Sequence, residues 1–185
     1  MSKKIPLITS VLVMGLFLSS CSSVKRTMGG PMASMMGKGD LMGAMENMDK
    51  VMKDMTPEQR AQHMAQKQQE ALNAGRSLFK DPDLGKNGQS CNSCHPGGTT
   101  TGGEAQIPMR DYRIPIPSLV GASARFPKYK VPNDRVITLA EMNNNCIKMF
   151  MDGNALDLDS KESIALAMYM TSLSNGENVD VGEAK

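Results

Sequence analysis

The chain has 185 residues, with 21 Lys or Arg against 19 Asp or Glu, a formal charge of +2. So even a balance leaves no broad basic field for nucleic acid, which is excluded as a partner. Aromatic residues make up 4% and Trp is absent, so a core built from protein alone would be thin, and the length suits one domain plus a tail.

The chain opens with Lys3 and Lys4, then a short apolar run from Ile5 to Leu18 broken by Pro6, Thr9, Ser10 and Gly15. That run is too short for a membrane-spanning helix and reads as the core of a signal peptide, residues 1–20. Leu18-Ser19-Ser20-Cys21 follows directly and resembles a bacterial lipobox, in which Cys21 is lipidated and becomes the mature N-terminus. The alternative is an ordinary small-residue cleavage site with an incidental Cys, but a free exposed thiol is a liability on an exported protein. The expected location is a bacterial cell envelope, facing the periplasm and held by lipid. Ser22 after the Cys, rather than Asp, favours the outer membrane over the inner on that resemblance. Loss of the signal leaves 19 basic residues against 19 acidic ones.

Residues 21–56 read as a flexible, partly helical tether. Gly, Ser and Pro dominate up to Gly39, and nine Met lie between Met28 and Met55. Leu41, Met45, Met48, Met52 and Met55 recur every three or four positions, forming one face of an amphipathic helix. Soft thioethers of this kind suit Cu(I). They equally suit adaptable packing against a neighbouring domain, or a plain stalk.

A helix is expected from Pro57 to about Lys80. Thr56-Pro57-Glu58-Gln59 supplies an N-cap, a Pro at the first helical position and Gln at the third, and Asp81-Pro82 breaks the run. Gly75 and Phe79 share a face of it, and Gly in mid-helix, which costs about 1 kcal/mol against Ala, implies close packing. His63 reads as an exposed, solvated residue of this helix.

Cys91-Asn92-Ser93-Cys94-His95 comes next and is the attachment signature of c-type haem. Two thiols three positions apart can each add to one haem vinyl group, and the adjacent His95 imidazole then sits beneath the iron as proximal ligand. A thioredoxin-type C-x-x-C would need a βαβ setting that is missing here. A four-ligand zinc site would need a second Cys/His pair, whereas His63 is the one other His. One such motif means one covalent haem c, whose apolar bulk makes up for the scarcity of large side chains. With Cys21 lipidated and Cys91 and Cys94 joined to haem, Cys146 is left without a disulfide partner, which calls for an explanation.

From Pro96 to Ile137 the chain is rich in Gly, Pro and Thr with no sustained helical period, as suits a segment wrapping the cofactor edge. Thr138-Leu139-Ala140-Glu141 opens a third helix with a capping box, expected to end at Asp152-Gly153. The last helix starts at Asp159 or Ser160 and runs through Leu166, Tyr169, Met170 and Leu173 to near Asn175-Gly176. No Met-Pro occurs, so the distal iron ligand has several candidates: Cys146, Met142, Met149, Met151 and Met109.

Gly75 and Phe79 with Leu166, Tyr169 and Met170 resemble the helix pair of class I c-type cytochromes. There a G-x-x-x-F helix crosses an L-x-x-Y-L helix; here Met170 replaces the final Leu. Pro117-Ser118-Leu119-Val120-Gly121 resembles the family's P-x-L-x-G segment, which implies that the Pro117 carbonyl accepts a bond from the proximal imidazole. The resemblance covers Pro57 to Asn175 and implies an all-α, cytochrome c-like single-haem domain. A narrower likeness rests on Phe126-Pro127-Lys128-Tyr129, a helix holding Cys146, Met151-Asp152-Gly153, and Tyr169 to Leu173. These are similar to the haem domains of Sox-system A-type cytochromes and thiosulfate dehydrogenases. That likeness implies Cys146 as distal ligand opposite His95, and as the residue at which sulfur chemistry is done. It departs where those enzymes commonly carry an Arg four residues before the Cys; here that position is Met142. Arg125, Lys128, Lys130 and Arg135 are the other cations able to hold a small sulfur anion.

The expected organisation is therefore a signal at 1–20, a tether at 21–56, a haem domain at 57–176 and a disordered tail at 177–185. Two functions follow from the resemblance. One is a lipid-anchored, single-haem electron carrier in sulfur-compound oxidation, working with a redox partner cytochrome or haem subunit. The other is an enzyme oxidising thiosulfate or a related anion at a His95/Cys146 iron.

Overall fold

The computed structural model describes residues 41–182; the expected signal, Cys21 and the tether up to residue 40 lie outside the described residues. The chain divides into two units, Met1–Asp54 and Met55–Lys185. In the first, helix α1 spans Leu41–Met52 and turns Met45 and Met48 outward, each about half exposed. Met55, expected on the same face, lies beyond its end.

In the second unit, α2 spans Pro57–Lys80 with the expected capping box. The Gln59 N–H donates to Thr56 Oγ1 at 3.3 Å, and the Thr56 N–H donates to Gln59 Oε1 at 2.8 Å. Only Gly75 and Phe79 of this helix are buried, so its C-terminal end alone enters the core. The last helix, α5 (Lys161–Ser172; α3 and α4 are given below), crosses there. A Cβ at Gly75 would drive into the Ala165 carbonyl and lie 2.9 Å from Tyr169 Cβ, so the crossing requires Gly. Phe79 and Tyr169 stack at a tilt across it, with centroids 5.1 Å apart. Around this crossing Leu119, Ile147, Leu166 and Met170 complete the core. Burying a side chain such as Phe79 or Leu166 fully is worth about 1.5–3 kcal/mol.

Helix α3 is a single turn, Cys91–Cys94, and α4 spans Leu139–Phe150. Thr138 caps α4 reciprocally with Glu141, and α4 stops at Met151, where Asp152 takes a positive φ of 53°. Between α3 and α4 lie two short antiparallel hairpins that the sequence reading did not anticipate. In one, β1 (Glu104–Gln106) pairs with β2 (Arg113–Pro115); in the other, β3 (Lys128–Lys130) pairs with β4 (Arg135–Ile137). Three-residue strands are too short to show a period-2 pattern. The fold stays helical in class, with these hairpins as loop furniture. Asn side chains tie the loops to α4. Asn144 donates to the Leu156 carbonyl at 2.9 Å and accepts the Leu156 N–H at 2.8 Å, and Asn145 exchanges amide bonds with Asn133.

The segment from residue 177, expected to be disordered, is tied down as far as it is described. The Asp180 N–H donates to the Ala124 carbonyl at 2.9 Å and the Gly182 N–H to the Arg125 carbonyl at 3.3 Å. Backbone pairing of this kind leaves no periodic side-chain signal in the sequence.

Candidate haem site

Ser90 starts α3, and its side chain and N–H engage Ser93 at 3.2 and 3.1 Å. The His95 N–H closes the turn on the Cys91 carbonyl at 2.9 Å. One turn at about 100° per residue brings positions 91, 94 and 95 to one side of the chain. All three line a cavity of about 470 Å³, within the range of cofactor sites.

The His95 ring is fixed by one bond: Nδ1 lies 2.9 Å from the Pro117 carbonyl oxygen. A carbonyl can only accept, so Nδ1 carries the proton and Nε2 keeps its lone pair for a metal. Burial pushes the His95 pKa below its ordinary value, against the pull of that carbonyl, which keeps the ring neutral as a ligand must be. Pro117 is itself held. The Ser118 hydroxyl donates to the Thr99 carbonyl at 3.1 Å, the Leu119 N–H donates to the Gly98 carbonyl at 3.0 Å, and Gly121 turns the chain at φ 72°.

Helix α4 forms another wall with Leu139, Met142, Asn143, Cys146 and Phe150. Their spacing of three or four, plus the adjacent pair 142–143, is one stripe of a helix. Burial pushes the Cys146 thiol up to about 11 and the Cys91 thiol up to about 12, and Cys94 and Cys146 are near enough to add to these shifts. Without a metal these thiols stay protonated; a bound metal would hold a coordinating sulfur deprotonated. Of the distal candidates, Met142 and Met151 also line the cavity, whereas Met109 is 94% exposed and Met149 is absent from the lining. His63 is half-buried rather than exposed and likewise absent from the lining.

Met170, Asn143 and Ile116 also reach the cavity, none of them expected there from the sequence. Met170 arrives from α5 through the helix crossing. Asn143 is buried, and its Nδ2 has no hydrogen-bond partner among the described residues. The one available signal was its place one turn before Cys146. Ile116, buried beside Pro117, adds apolar lining. Arg125, Lys128 and Lys130 bring positive charge, the two ammonium groups lying 5.7 and 5.8 Å from the Phe126 ring centre. Arg135 instead pairs with Glu141 at 2.6 Å and does not line the cavity.

The donor set fits haem c. Two thiols on one turn, an imidazole with its lone pair on Nε2, an apolar wall and basic groups to meet the porphyrin's two carboxylates share one cavity. Among the described residues no three His, Cys, Asp or Glu side chains gather to hold a metal alone. A haem would bring an iron already held by its own nitrogens, so the cavity would need to add few ligands, for which His95 and Cys146 are candidates.

Residues 115–179 match the family model described as the SoxA/TsdA cytochrome c domain, a span that holds α4, α5 and Cys146 but begins after the C-x-x-C-H turn. The thiosulfate dehydrogenase of Allochromatium vinosum is 32% identical over 112 residues, 58% of this chain and 38% of that protein. The chain thus spans well under half of that relative. Among solved structures, SoxXA from P. pantotrophus aligns at 20% identity with a TM-score of 0.46, covering 60% of this chain and 35% of that one. Thiosulfate dehydrogenase (TsdBA) from Marichromatium purpuratum aligns at 23% identity with a TM-score of 0.47, covering 60% and 24%. Residues 115–179 are thus similar to a cytochrome c domain of the SoxA/TsdA kind, and such a domain implies a covalently bound haem c.

Proposed function

We propose that this protein is a single-haem c-type cytochrome that moves electrons in the oxidation of thiosulfate or a related sulfur compound. It is fastened by lipid at Cys21 to the periplasm-facing side of a bacterial cell envelope, the outer membrane in preference to the inner. Its electrons pass to a redox partner cytochrome or haem subunit. The observation that carries this reading is the meeting of Cys91, Cys94, the Pro117-oriented His95 and Cys146 in one apolar cavity. The relative's name supports the sulfur assignment.

Cys91 and Cys94 would hold the cofactor by thioether bonds, and His95 and Cys146 would offer its iron a nitrogen and a sulfur. The haem, when bound, supplies one-electron chemistry at its iron. The Pro117 carbonyl, accepting from Nδ1, fixes the imidazole's orientation and raises its basicity. Cys146 enters an apolar wall where a thiolate is costly unless a metal bears it. An anionic sulfur there would favour the oxidised iron, so a bound haem would have a reduction potential below that of a His/Met haem.

The distal assignment is tested by low-temperature EPR of the oxidised protein beside Cys146→Ser. We expect the low-spin signal of the wild type to change in the variant; an unaltered signal refutes thiolate ligation. A second reading is an enzyme oxidising thiosulfate at this iron. It is favoured by Arg125, Lys128 and Lys130 sharing the cavity with Cys146, where they can hold a small anion. Steady-state turnover of thiosulfate with an artificial acceptor, with and without a haem partner, decides between the two.

A further inference from the structure

Helix α1 differs from the rest of the chain in the kind of apolar residue it carries. Half of the chain's 18 Met fall between Met28 and Met55. The other large aliphatic residues of that stretch are Leu41 and Val51 alone. Leu and Met have nearly equal helix propensity, and Leu serves a plain packing face as well. What Met alone adds is a thioether sulfur.

On α1, Met45, Met48 and Met52 follow at three and four positions, so at 100° per residue they share about 60° of arc. Met42 flanks them one turn earlier. Residues so spaced are neighbours, with Cβ atoms about 5–6 Å apart. A Met side chain is unbranched and rotates freely, so neighbouring sulfurs can turn inward onto one ion. Solvent reaches them: Met42, Met45 and Met48 are 77%, 51% and 54% exposed, and Met52 is half-buried.

Residues 22–56 contain no His and no Cys. A site built there has thioethers as its soft ligands, and soft ligands of this kind select Cu(I), whereas Zn(II) and Cu(II) are suited by imidazole. A thioether has no proton to lose, so such a site binds alike across a wide range of pH.

We propose that Met45, Met48 and Met52 of α1, with Met42 beside them, form a binding site for Cu(I). The site shares no residue with the haem cavity and gives the chain a second metal.

The test is anaerobic titration of the full-length holoprotein with Cu(I), added as its acetonitrile complex, in competition with a chromophoric Cu(I) chelator. Uptake of Cu(I) is expected, unchanged between about pH 5 and pH 8, where a His ligand would gain its proton. Replacing Met45, Met48 and Met52 together by Leu conserves volume and helix propensity but removes the sulfurs. That variant should bind about a hundredfold more weakly, since even the loss of a supporting neighbour costs a metal site about 10–100-fold. Met64→Leu, at a 49% exposed position on α2, should bind as wild type. Far-UV circular dichroism and the haem spectrum should match wild type in both variants. Copper-edge X-ray absorption should show sulfur alone around the ion. No uptake, equal affinity in the triple variant, or nitrogen in the copper shell would overturn the proposal. So would uptake that survives in the triple variant and fades with acid, which would assign the copper to a cysteine thiol.

Discussion

Gly75→Ala is the sharpest probe of the helix crossing. The added methyl would meet the Ala165 carbonyl of α5 and lie 2.9 Å from Tyr169 Cβ. Both obstacles belong to or adjoin backbone, so no side chain can swing aside and the helices must part. Forcing a methyl into a packed contact costs about 1–3 kcal/mol. Parting the helices also weakens the Phe79–Tyr169 ring contact at 5.1 Å, worth about 0.5–1.5 kcal/mol. Against this, Ala is the better helix former by about 1 kcal/mol. The net expectation is a loss of about 1–3 kcal/mol, or several degrees in Tm at this size. Denaturant titration of the holoprotein, followed by far-UV circular dichroism and Soret absorbance, reads it. Because α5 also carries Met170 to the cavity, the Soret band should shift with the loss. A variant as stable as wild type would refute the claim that this crossing is set by the absence of a side chain.

Other substitutions test the loops and caps that hold the site. Asn144→Ala removes both bonds to the Leu156 backbone and should cost about 2–4 kcal/mol in equilibrium unfolding, since donor and acceptor are stranded together. Glu141 accepts from Arg135, and then from Thr138, so its carboxyl sits below the ordinary value of 4.5. A depressed folded pKa contributes stability above the ordinary value that is lost as pH falls through the folded one. Unfolding of Glu141→Gln followed below pH 4.5 should therefore show a shallower loss of stability with acid than wild type. Cys91→Ala should leave a single thioether, read as a shifted pyridine haemochrome band after denaturation.

The helices were legible because their ends carry local chemistry. Thr56 with Gln59 and Thr138 with Glu141 form the reciprocal caps their spacing implies, and Ser160 caps α5 within one residue of the expected start. Gly75 was readable for a different reason: a residue that weakens a helix interior is kept only where something else needs the space. The hairpins were not legible, because three residues cannot display alternation. The same holds for Asn143, Met170 and residues 177–182. Their positions come from tertiary contacts that no short window contains.

The cations of the cavity bear on how electrons and anions share it. In the resembled enzymes an Arg lies one turn before the ligand Cys, on the same helix; here Met142 occupies that place and lines the cavity with apolar surface. Positive charge comes instead from Arg125 and from Lys128 and Lys130 of β3, and no Asp or Glu is among the residues that line the cavity. Lys130 already has its pKa lowered, first by burial and then by Lys128, so a further anion would relieve it. Two anions compete for that role in the proposed holoprotein: the porphyrin's own carboxylates and a dissolved sulfur anion. A carboxylate tied to a bound porphyrin would have the higher effective concentration and would take the cations first. With α4 supplying no cation of its own beside Cys146, the dissolved anion is left the weaker claim. On these charges, electron transfer is the better supported of the two functions.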